Sequence, residues 1–399
     1  MSRLLLVAAT TGYQTRVFAE AARRVGVDVV LATDRCHVLE DPWGDQAIPV
    51  RFDQPEAAVE AIAAAGPFDG VLAVADRPTR VASLAAEALG LRFHPPSAVE
   101  AARNKFLARQ RFQAAGLPVP SYFLADSEDS ARRAPYPCVL KPLGLAGSRG
   151  VIRANDETEF RVAYRRIRTL LASPDIRVQR EDLHDSIQVE QFIPGPEWAV
   201  EGVMTRGRLQ VLAVFDKPDP LDGPFFEETL YVTAPERAGL IELAARGVGA
   251  LGLSDGPVHV ELRGGGVLEA AARPIGGLCA KALRFDGGMG LEELLVRHAL
   301  GEDVSRMRRE PAPSGVMMIP IPREGVFHGV DGVHRAAATP GIEDIVITAK
   351  EGQTLVPLPE GASYLGFIFA RGHSPERALR AAHRELQFRI AEALPVWTG

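Results

Sequence analysis

The sequence predicts an α/β protein with more than one domain, beginning with a small doubly wound parallel sheet and continuing into an α+β body. The chain has 399 residues, and a single hydrophobic core rarely extends beyond about 250–300 residues. Apolar runs alternate with amphipathic helices up to about residue 90, which is typical of a parallel sheet covered on both faces. Residues 258–270 then form an antiparallel hairpin pattern around the glycine turn 263–265.

The N-terminal part, residues 1–97, is predicted to be a domain of its own. An apolar strand over 4–8 leads through a glycine-containing loop into a helix over 14–25. The loop 9–14 lacks the G-x-G-x-x-G spacing, so neither a nicotinamide nor a flavin cofactor is predicted, and we expect the loop to face a substrate. The domain boundary is placed near Ser97, where two prolines interrupt the pattern.

Residues 98–300 are predicted to hold a lid over about residues 121–192, followed by a body of longer strands. Residues 301–399 are predicted to form a β-rich C-terminal domain that ends in a long helix over about 375–394. The other main elements expected after residue 97 are helix 98–115, strand 138–141, helix 157–171, strand 187–192, strands 198–204 and 209–215, helix 238–251, the hairpin and helix 291–300.

Composition excludes several classes of protein. Hydrophobic residues make up 46% and charged residues 24% of the chain, which is typical of a globular protein. The net charge of −6 comes without a basic stripe, so no nucleic-acid partner is predicted. No apolar run approaches the roughly 20 residues that cross a bilayer, so no membrane association is predicted. Cys36, Cys138 and Cys279 are widely spaced, which favours neither disulfides nor zinc and suits a reducing cytoplasm.

A glycine-containing loop over residues 142–150 directly follows the strand that ends with Lys141. Glycines at 144, 147 and 150 allow backbone N–H groups to close on phosphate oxygens. The loop is not a Walker motif, since no G-K-[ST] follows. Most glycine loops after strands are plain turns, so this loop alone leaves both interpretations open.

The hairpin carries two carboxylates, Glu261 and Glu269, on its two strands. Across a short turn they can converge on one hard cation, and oxygen ligands of this kind suit magnesium held with nucleotide phosphates. The alternative for the pair alone is two solvent-facing charges. Arg273 follows four residues later among small apolar residues, where a fixed guanidinium could bind phosphate or a developing oxyanion.

Together these residues resemble the ATP-grasp superfamily, whose second metal-binding carboxylate stands in an E-x-N-x-R pattern after a first glutamate on the neighbouring strand. The resemblance also includes Lys105, in Asn104-Lys105-Phe106, and the segment 189–197. The elements stand in the family's order, and the resemblance covers essentially the whole chain. It implies an ATP-grasp fold between the two flanking domains, with ATP and Mg²⁺, or alternatively Mn²⁺, as cofactors.

Carried over position by position, the resemblance implies three groups of site residues. The lysines would bind ATP phosphates beneath the glycine loop, while Glu190 and the Ile193 backbone would meet adenine and Glu197 the ribose. The alternative for each of these residues is a charged side chain exposed to solvent, either on a helix or at the end of a strand. The implied nucleotide-binding residues are Lys105, Lys141, Gly144, Gly147, Ser148, Gly150, Glu190, Ile193 and Glu197; the metal ligands are Glu261 and Glu269; the catalytic residue is Arg273.

One position departs from the family pattern. Ala271 stands where the family has asparagine, which removes a side-chain oxygen that usually helps to bind a second magnesium ion. Both glutamates and Arg273 remain, so we expect activity. The alternative is a nucleotide-binding protein that has lost turnover.

The three-part order is similar to that of biotin carboxylase, glycinamide ribonucleotide synthetase and the bacterial L-amino-acid ligases. Biotin carboxylase has an R-x-Q-V-E-H run after the catalytic arginine, whereas Arg273 is followed by Pro-Ile-Gly-Gly. The segments 215–218, 223–229, 341–344 and 364–372 look most like the amino-acid ligases. This likeness implies an ATP-dependent carboxylate–amine ligase that acts through an acyl phosphate and joins an amino acid or similar small acid to an amine. The alternative within the superfamily is an enzyme like glycinamide ribonucleotide synthetase or a carboxylase.

The resemblance also indicates partners and substrate contacts. The partners implied are a small-molecule carboxylate and an amine, and a homodimer is allowed because related enzymes are often dimers. Glu228 is a candidate for a substrate ammonium group, with an exposed loop acid as the alternative. Lys217 is a candidate substrate contact, with a structural ion pair as the alternative.

Overall fold

The fold was taken from a computed structural model, which describes residues 2–9, 13–34, 47–227 and 229–392. The N-terminal sheet is entirely parallel, with strand order β3-β2-β1-β4, as the alternating pattern predicts. Its central strand carries Leu4, Leu5 and Leu6, all fully buried. The elements of this region are β1 Arg3–Ala8, α1 Tyr13–Arg24, β2 Asp28–Thr33, β3 Ile48–Pro49, α2 Pro55–Ala65, β4 Gly70–Val74, α3 Thr79–Leu89 and α4 Pro96–Arg103.

The predicted helix 98–115 is two helices, because the chain breaks at Asn104. Its side chain accepts hydrogen bonds from the N–H groups of Phe106 and Leu107, both at 3.1 Å, and so caps the second helix. Lys105 is therefore the first residue of that helix, α5 Lys105–Ala114. The cap fixes the position from which the Lys105 side chain extends.

The lid is a four-stranded antiparallel sheet with strand order β5-β8-β6-β7, covered by α6. Its own hydrophobic core includes Leu140, Phe160 and Ile167. The lid elements are β5 Tyr122–Ala125, β6 Cys138–Pro142, β7 Ile152–Ala154, α6 Glu157–Leu171, α7 Pro174–Arg177 and β8 Ile187–Gln191.

An eight-stranded sheet continues from the body into the C-terminal region, with order β13-β12-β9-β10-β11-β16-β20-β18. It crosses residue 300, where the sequence places a domain boundary, through the antiparallel pairing of β11 with β16. The body elements are β9 Glu197–Thr205, β10 Arg208–Lys217, β11 Leu230–Ala234, α8 Ala238–Leu251, β12 Gly256–Arg263, β13 Gly266–Ala271, β14 Arg284–Phe285, β15 Met289–Gly290 and α9 Leu291–Ala299. The C-terminal elements are β16 Ser314–Ile319, β17 Gly325–Asp331, α10 Val333–Ala337, β18 Ile342–Ile347, β19 Thr354–Leu355, β20 Gly366–Arg371, α11 Pro375–Glu385 and β21 Gln387–Ala391.

The long final helix predicted over 375–394 is wrong in its second half. The helix ends at Glu385, and the segment Gln387–Ala391 is a strand paired with β17. Phe388 and Ile390 alternate with polar residues there, so the strand turns both apolar side chains toward one hydrophobic cluster. The last two residues of the predicted helix lie outside the described part of the chain.

No described helix combines the length and the apolar character that a membrane span requires.

A buried histidine joins the N-terminal domain to the body. His94 is 1% exposed, and its Nε2 lies 2.9 Å from the carbonyl oxygen of Pro257. Burial lowers the pKa of His94 to about 4. The folded protein therefore holds the ring neutral at a pH where an unfolded chain would protonate it.

We expect this histidine to make the protein less stable in acid. The pKa of His94 in the folded protein lies below the unfolded value of about 6.5. The contribution of His94 to the free energy of unfolding is therefore fully present above about pH 6.5 and is lost as the pH falls toward about 4. The loss approaches roughly 3 kcal/mol if no other group compensates. Urea unfolding from pH 7 to 4 should show a shallower pH dependence for His94→Gln than for wild type. The exposed-site control His334→Gln should keep the wild-type slope; equal slopes in all three proteins would contradict the expectation.

Candidate active site

A cavity of about 410 Å³ lies between the N-terminal sheet, the lid and the eight-stranded sheet. It brings together most of the residues that the sequence identifies. The predicted residues that line it are Lys105, Lys141, Gly147, Ser148, Glu190, Ile193, Glu197, Lys217, Glu261, Glu269 and Arg273.

Two of the predicted residues that the structure describes, Gly144 and Gly150, are not among those that line the cavity. Gly144 packs against His184, where an added Cβ would lie 2.7 Å from the ring. The N–H of Gly150 donates to the carbonyl oxygen of Pro359 at 2.8 Å. Glu228 lies outside the described residues, as do Cys36 and residues 10–12 of the loop expected to face a substrate.

The glycine loop is held by its own backbone conformation and by Lys105. Gly150 has φ +74°, and a Cβ there would lie 2.6 Å from Pro142 Cγ, so glycine alone fits without rearrangement. The Lys105 ammonium donates to the carbonyl oxygen of Leu145 at 2.7 Å. Gly147 and Ser148, both at positive φ, form the part of the loop that faces the cavity.

Glu190 lies at the centre of a buried charge network. Its Oε2 lies 2.6 Å from Lys141 Nζ, and the Arg109 guanidinium donates to both carboxylate oxygens at 2.7 and 3.2 Å. Burial would raise the pKa of Glu190, but the two cations outweigh it and lower the pKa to about 2. The side chain therefore positions Lys141 in the cavity wall, and the predicted contact with adenine stays a prediction.

Arg109 was not identified from the sequence. It is 2% exposed and also donates to the backbone carbonyl oxygens of Val267 and Leu268 on β13, at 2.8 and 2.9 Å. The sequence could have indicated it, because Arg109 lies between Ala108 and Phe112 on the buried face of α5. A charge on an apolar face requires a buried partner.

Lys217 joins two of the predicted acidic residues. Its ammonium donates to Glu197 and lies 3.8 Å from Glu261 Oε2. Glu197 also accepts from the Arg263 guanidinium at 3.1 Å. Of the two alternatives for Lys217, the ion pair is present in the structure, and a substrate contact stays a prediction.

The two hairpin carboxylates lie opposite one another, since Glu261 pairs in register with Glu269 across β12 and β13. Burial opposes ionisation of Glu261, but Lys217 and His259 hold its pKa well below the usual range. Two carboxylates at facing positions repel each other unless a cation compensates them. Their oxygens suit a hard divalent cation.

These residues fit one Mg²⁺ ion that is partly ligated from outside the protein. The described part of the chain contains no cluster of three or more metal-ligating side chains. Ala271 is buried and has no side-chain oxygen to contribute. Magnesium characteristically keeps waters and phosphate oxygens beside one or two carboxylates, so ATP would complete the coordination.

His259, which the sequence analysis missed, bridges Glu261 to a buried acid. Its Nδ1 lies 3.0 Å from Glu201 Oε2, and its Nε2 lies 3.4 Å from Glu261 Oε1. Burial opposes protonation, but the two carboxylates raise the pKa of His259 to about 9. The other oxygen of Glu201 accepts from the N–H of Ile275 at 3.0 Å. The bridge restricts the orientation of the Glu261 carboxylate.

Arg273 is paired with an acid from the N-terminal domain. Its Nη2 lies 2.8 Å from Asp76 Oδ2, and Asp76 outweighs the effect of burial to raise the pKa of Arg273 above its ordinary value. Ala75, at φ +71°, directly follows β4 and precedes Asp76, which places Asp76 at the carboxyl end of that strand. The carboxyl edge of a parallel sheet is where ligands commonly bind, and that rule could have identified Asp76 from the sequence.

Ion pairs connect the lid to both neighbouring regions. On one side the Arg166 guanidinium makes a bidentate pair with Glu360, whose carbonyl oxygen accepts from Arg149 at 2.8 Å. On the other side Glu181 pairs with Arg77 and Arg103, at 3.0 and 2.9 Å. The lid is therefore fastened to Pro359 and Glu360 and to the N-terminal domain.

Three parts of the chain match known protein families. Residues 134–282 match the ATP-grasp domain, residues 19–92 the ATP-grasp N-terminal domain and residues 317–390 the L-amino acid ligase C-terminal domain 2. The chain is 27% identical over 394 residues to the uncharacterized protein y4rH of Sinorhizobium fredii, covering 93% of this chain and 79% of that protein.

A second relative and a solved structure are ligases by name. The chain is 27% identical to alanine–anticapsin ligase of Bacillus subtilis, in a match that covers 53% of this chain and only 50% of that protein. The structure of an L-amino acid ligase from Bacillus licheniformis superposes with a TM-score of 0.80 and 26% identity, covering 98% of this chain and 99% of that chain. The chain therefore contains an ATP-grasp domain between the ATP-grasp N-terminal domain and the C-terminal domain 2 of the L-amino acid ligases, and these two named homologues are ligases.

Proposed function

We propose that the protein activates a carboxylate with ATP and joins it, through an acyl phosphate, to an amine. The acid is an amino acid or a similar small carboxylic acid. One observation carries the proposal: a single cavity combines two lysines, a facing carboxylate pair and a partly buried arginine. These are the charges that phosphoryl transfer and acyl transfer require.

The residues of the lid side would bind the nucleotide. Lys141, held by Glu190 at 2.6 Å, and Lys105 present ammonium groups that neutralise phosphate charge. Gly147 and Ser148 would close backbone N–H groups on the phosphates. Glu261 and Glu269 would hold Mg²⁺, which when bound neutralises further charge on the phosphates and aligns the reacting groups.

The first step is phosphoryl transfer. An oxygen of the substrate carboxylate attacks the γ-phosphorus of ATP, the bond from that phosphorus to the bridging oxygen breaks, and ADP leaves with the electron pair. Holding the carboxylate in line with that bond supplies much of the rate enhancement. The product is an acyl phosphate.

The second step is acyl transfer. The amine attacks the acyl carbon, and Arg273, fixed by Asp76 at 2.8 Å, stabilises the oxyanion that develops there. Phosphate then leaves with its bonding electrons, and the nitrogen loses a proton to give the amide. The lid, fastened through Glu181 and Glu360, would exclude water that would otherwise hydrolyse the acyl phosphate.

The test is release of ADP and phosphate from Mg-ATP across a panel of amino-acid pairs, with the products identified by mass spectrometry. Reactions without the amine or without ATP are the controls. An amide product that forms in one-to-one ratio with ADP supports the proposal. Binding of ATP with no ADP release on any pair would instead favour the non-catalytic alternative that the alanine at 271 raises. Release of ADP with other acceptors would point to a different ATP-grasp activity.

We expect Glu269→Gln to weaken the metal site. The substitution keeps the shape of the side chain but removes one of two facing negative charges, so the affinity for a divalent cation should fall by at least about 10-fold. Mn²⁺ binding in the presence of ADP, followed by electron paramagnetic resonance, measures this without turnover. Glu242→Gln, at an exposed position on α8, is the control. Equal Mn²⁺ affinity in both variants would contradict a metal site at the hairpin.

A further inference from the structure

The glycine loop begins where β6 leaves the lid sheet. The last pair of the ladder joins Pro142 of β6 to Ile187 of β8. Two residues after Pro142, Gly144 packs against His184, which lies in a short turn just before β8. Neither Gly144 nor His184 lines the cavity, whereas the next four residues of the loop, 145–148, all do. His184 therefore contacts the start of the loop from outside the cavity.

The contact between Gly144 and His184 leaves no room for a Cβ. His184 is 3% exposed, and a Cβ added to Gly144 would lie 2.7 Å from its Cδ2 and 3.0 Å from the Cβ of Leu183. The backbone of Gly144 is not in the left-handed region, so its conformation does not itself require glycine. Burial lowers the pKa of His184, so the ring packs there uncharged at neutral pH. The presence of the ring is therefore the reason that this position needs glycine.

The turn that carries His184 is also connected to the second anchor of the loop. The N–H of His184 donates to the carbonyl oxygen of Glu181 at 3.0 Å. The Glu181 carboxylate pairs with Arg103 at 2.9 Å, and Arg103 ends α4 two residues before Lys105. The Lys105 ammonium donates to the carbonyl oxygen of Leu145 at 2.7 Å. The contacts thus form a closed path that returns to the loop one residue from where it began.

We propose, on the basis of the proposed function, that His184 and Glu181 are positioning residues of the nucleotide site. They hold the start of the glycine loop at a fixed place relative to Lys105, so that the N–H groups around Gly147 and Ser148 are in position before the phosphates bind. Without the ring or the ion pair the loop would have to be ordered by the nucleotide, and that ordering weakens binding.

The first test is binding of Mg-ADP measured by isothermal titration calorimetry, which needs no turnover. We expect His184→Ala to raise the Kd for Mg-ADP by about 10-fold, because a small displacement of the loop misplaces its donors. His298→Ala is the matched control. His298 is also buried, at 4% exposed, but does not line the cavity or contact the glycine loop, so its removal should destabilise the fold without changing the Kd.

Steady-state kinetics separates positioning from a general loss of structure. In His184→Ala the KM for ATP should rise by about 10-fold, while kcat at saturating ATP and the KM for the acid stay within about twofold of wild type. A fall in kcat with an unchanged KM for ATP would contradict the proposed role.

A double variant tests why glycine is needed at position 144. Gly144→Ala alone should raise the Kd for Mg-ADP by at least about 10-fold, because the new methyl group and the ring cannot both fit. Addition of His184→Ala removes the ring and should recover most of that loss, a coupling that only residues in contact show. A double variant that binds as weakly as Gly144→Ala would mean that the glycine serves the phosphates directly, and it would overturn the inference.

Glu181 is tested by Glu181→Gln, which removes the charge that pairs with Arg103. The Kd for Mg-ADP should rise in this variant, whereas Asp182→Asn, at an exposed position of the same turn, should match wild type. Equal affinities in these two variants would exclude the role of Glu181.

Failure of this inference and failure of the proposed function give different results. If wild type and His184→Ala bind Mg-ADP equally well, this inference is overturned and the ligase proposal stands. If wild type binds no Mg-ADP and releases no ADP from Mg-ATP, the proposed function is overturned together with this inference.

Discussion

Replacing Arg273 with alanine is expected to lower the rate of amide formation by roughly 10²-fold to 10³-fold, the usual loss when one oxyanion donor is removed. The guanidinium is partly buried, is paired with Asp76 at 2.8 Å, and faces the same cavity as the carboxylate pair. Arg273→Lys should recover only part of the loss, because an ammonium keeps the charge but not the planar fork of donors.

The measurement is single-turnover formation of product after the amine is added to a preformed complex of enzyme, ATP and acid. Arg177→Ala removes an arginine that is also ion-paired, to Asp185 at 2.9 Å, but is exposed on the lid, and it should react at the wild-type rate. Circular dichroism must show that both variants are folded. An Arg273→Ala enzyme with wild-type acyl transfer would exclude the role proposed for this residue.

Replacing Glu190 with glutamine is expected to reduce the free energy of unfolding by about 3–5 kcal/mol, because it leaves buried cations without their counter-charge. Arg109 and Glu190 are each 2% exposed, and Lys141 shares the same carboxylate. Urea unfolding measures the loss. Glu302→Gln, which breaks an exposed pair with Arg297, should cost less than about 1 kcal/mol. Similar losses in the two variants would contradict a buried network.

The same carboxylate gives a pH dependence with a definite sign. The pKa of Glu190 is about 2 in the folded protein, below its ordinary value of 4.5. The stability it contributes is therefore present above about pH 4.5 and is lost as the pH falls toward 2. Glu190→Gln should lack this part of the acid loss, so its stability curve should converge on that of wild type as the pH falls.

The features that the sequence predicts correctly are those that depend on short-range patterns of apolar residues and turn residues. Strand and helix alternation predicts the parallel N-terminal sheet, and the glycine turn at 263–265 predicts the hairpin that places Glu261 opposite Glu269. The final helix is wrong beyond Glu385 because pairing with β17, a long-range contact, decides the conformation there. Secondary-structure propensity is a weak predictor where a segment can pair with the edge of a strand that is distant in the sequence.

The site residues that were not predicted from the sequence were missed for a different reason. Asp76 meets Arg273 from a distant part of the chain, and Arg109 meets Glu190 across 81 residues. His259 is close to Glu261 in sequence, but its second partner, Glu201, lies on the neighbouring strand β9. Ion pairs of this kind depend on which elements pack together, and spacing along one strand or helix does not contain that information.

The continuous eight-stranded sheet determines where this chain can be divided. Strand β11 is interior because β16 covers it, with Leu230 opposite Met317 and Tyr231 opposite Val316. A fragment that stopped at residue 300 would leave the backbone N–H and C=O groups of β11 open along an apolar edge. Open edges of this kind pair with other chains. The ATP-grasp part of the protein would therefore form intermolecular aggregates when expressed alone, and the C-terminal strands act as its protection against self-association.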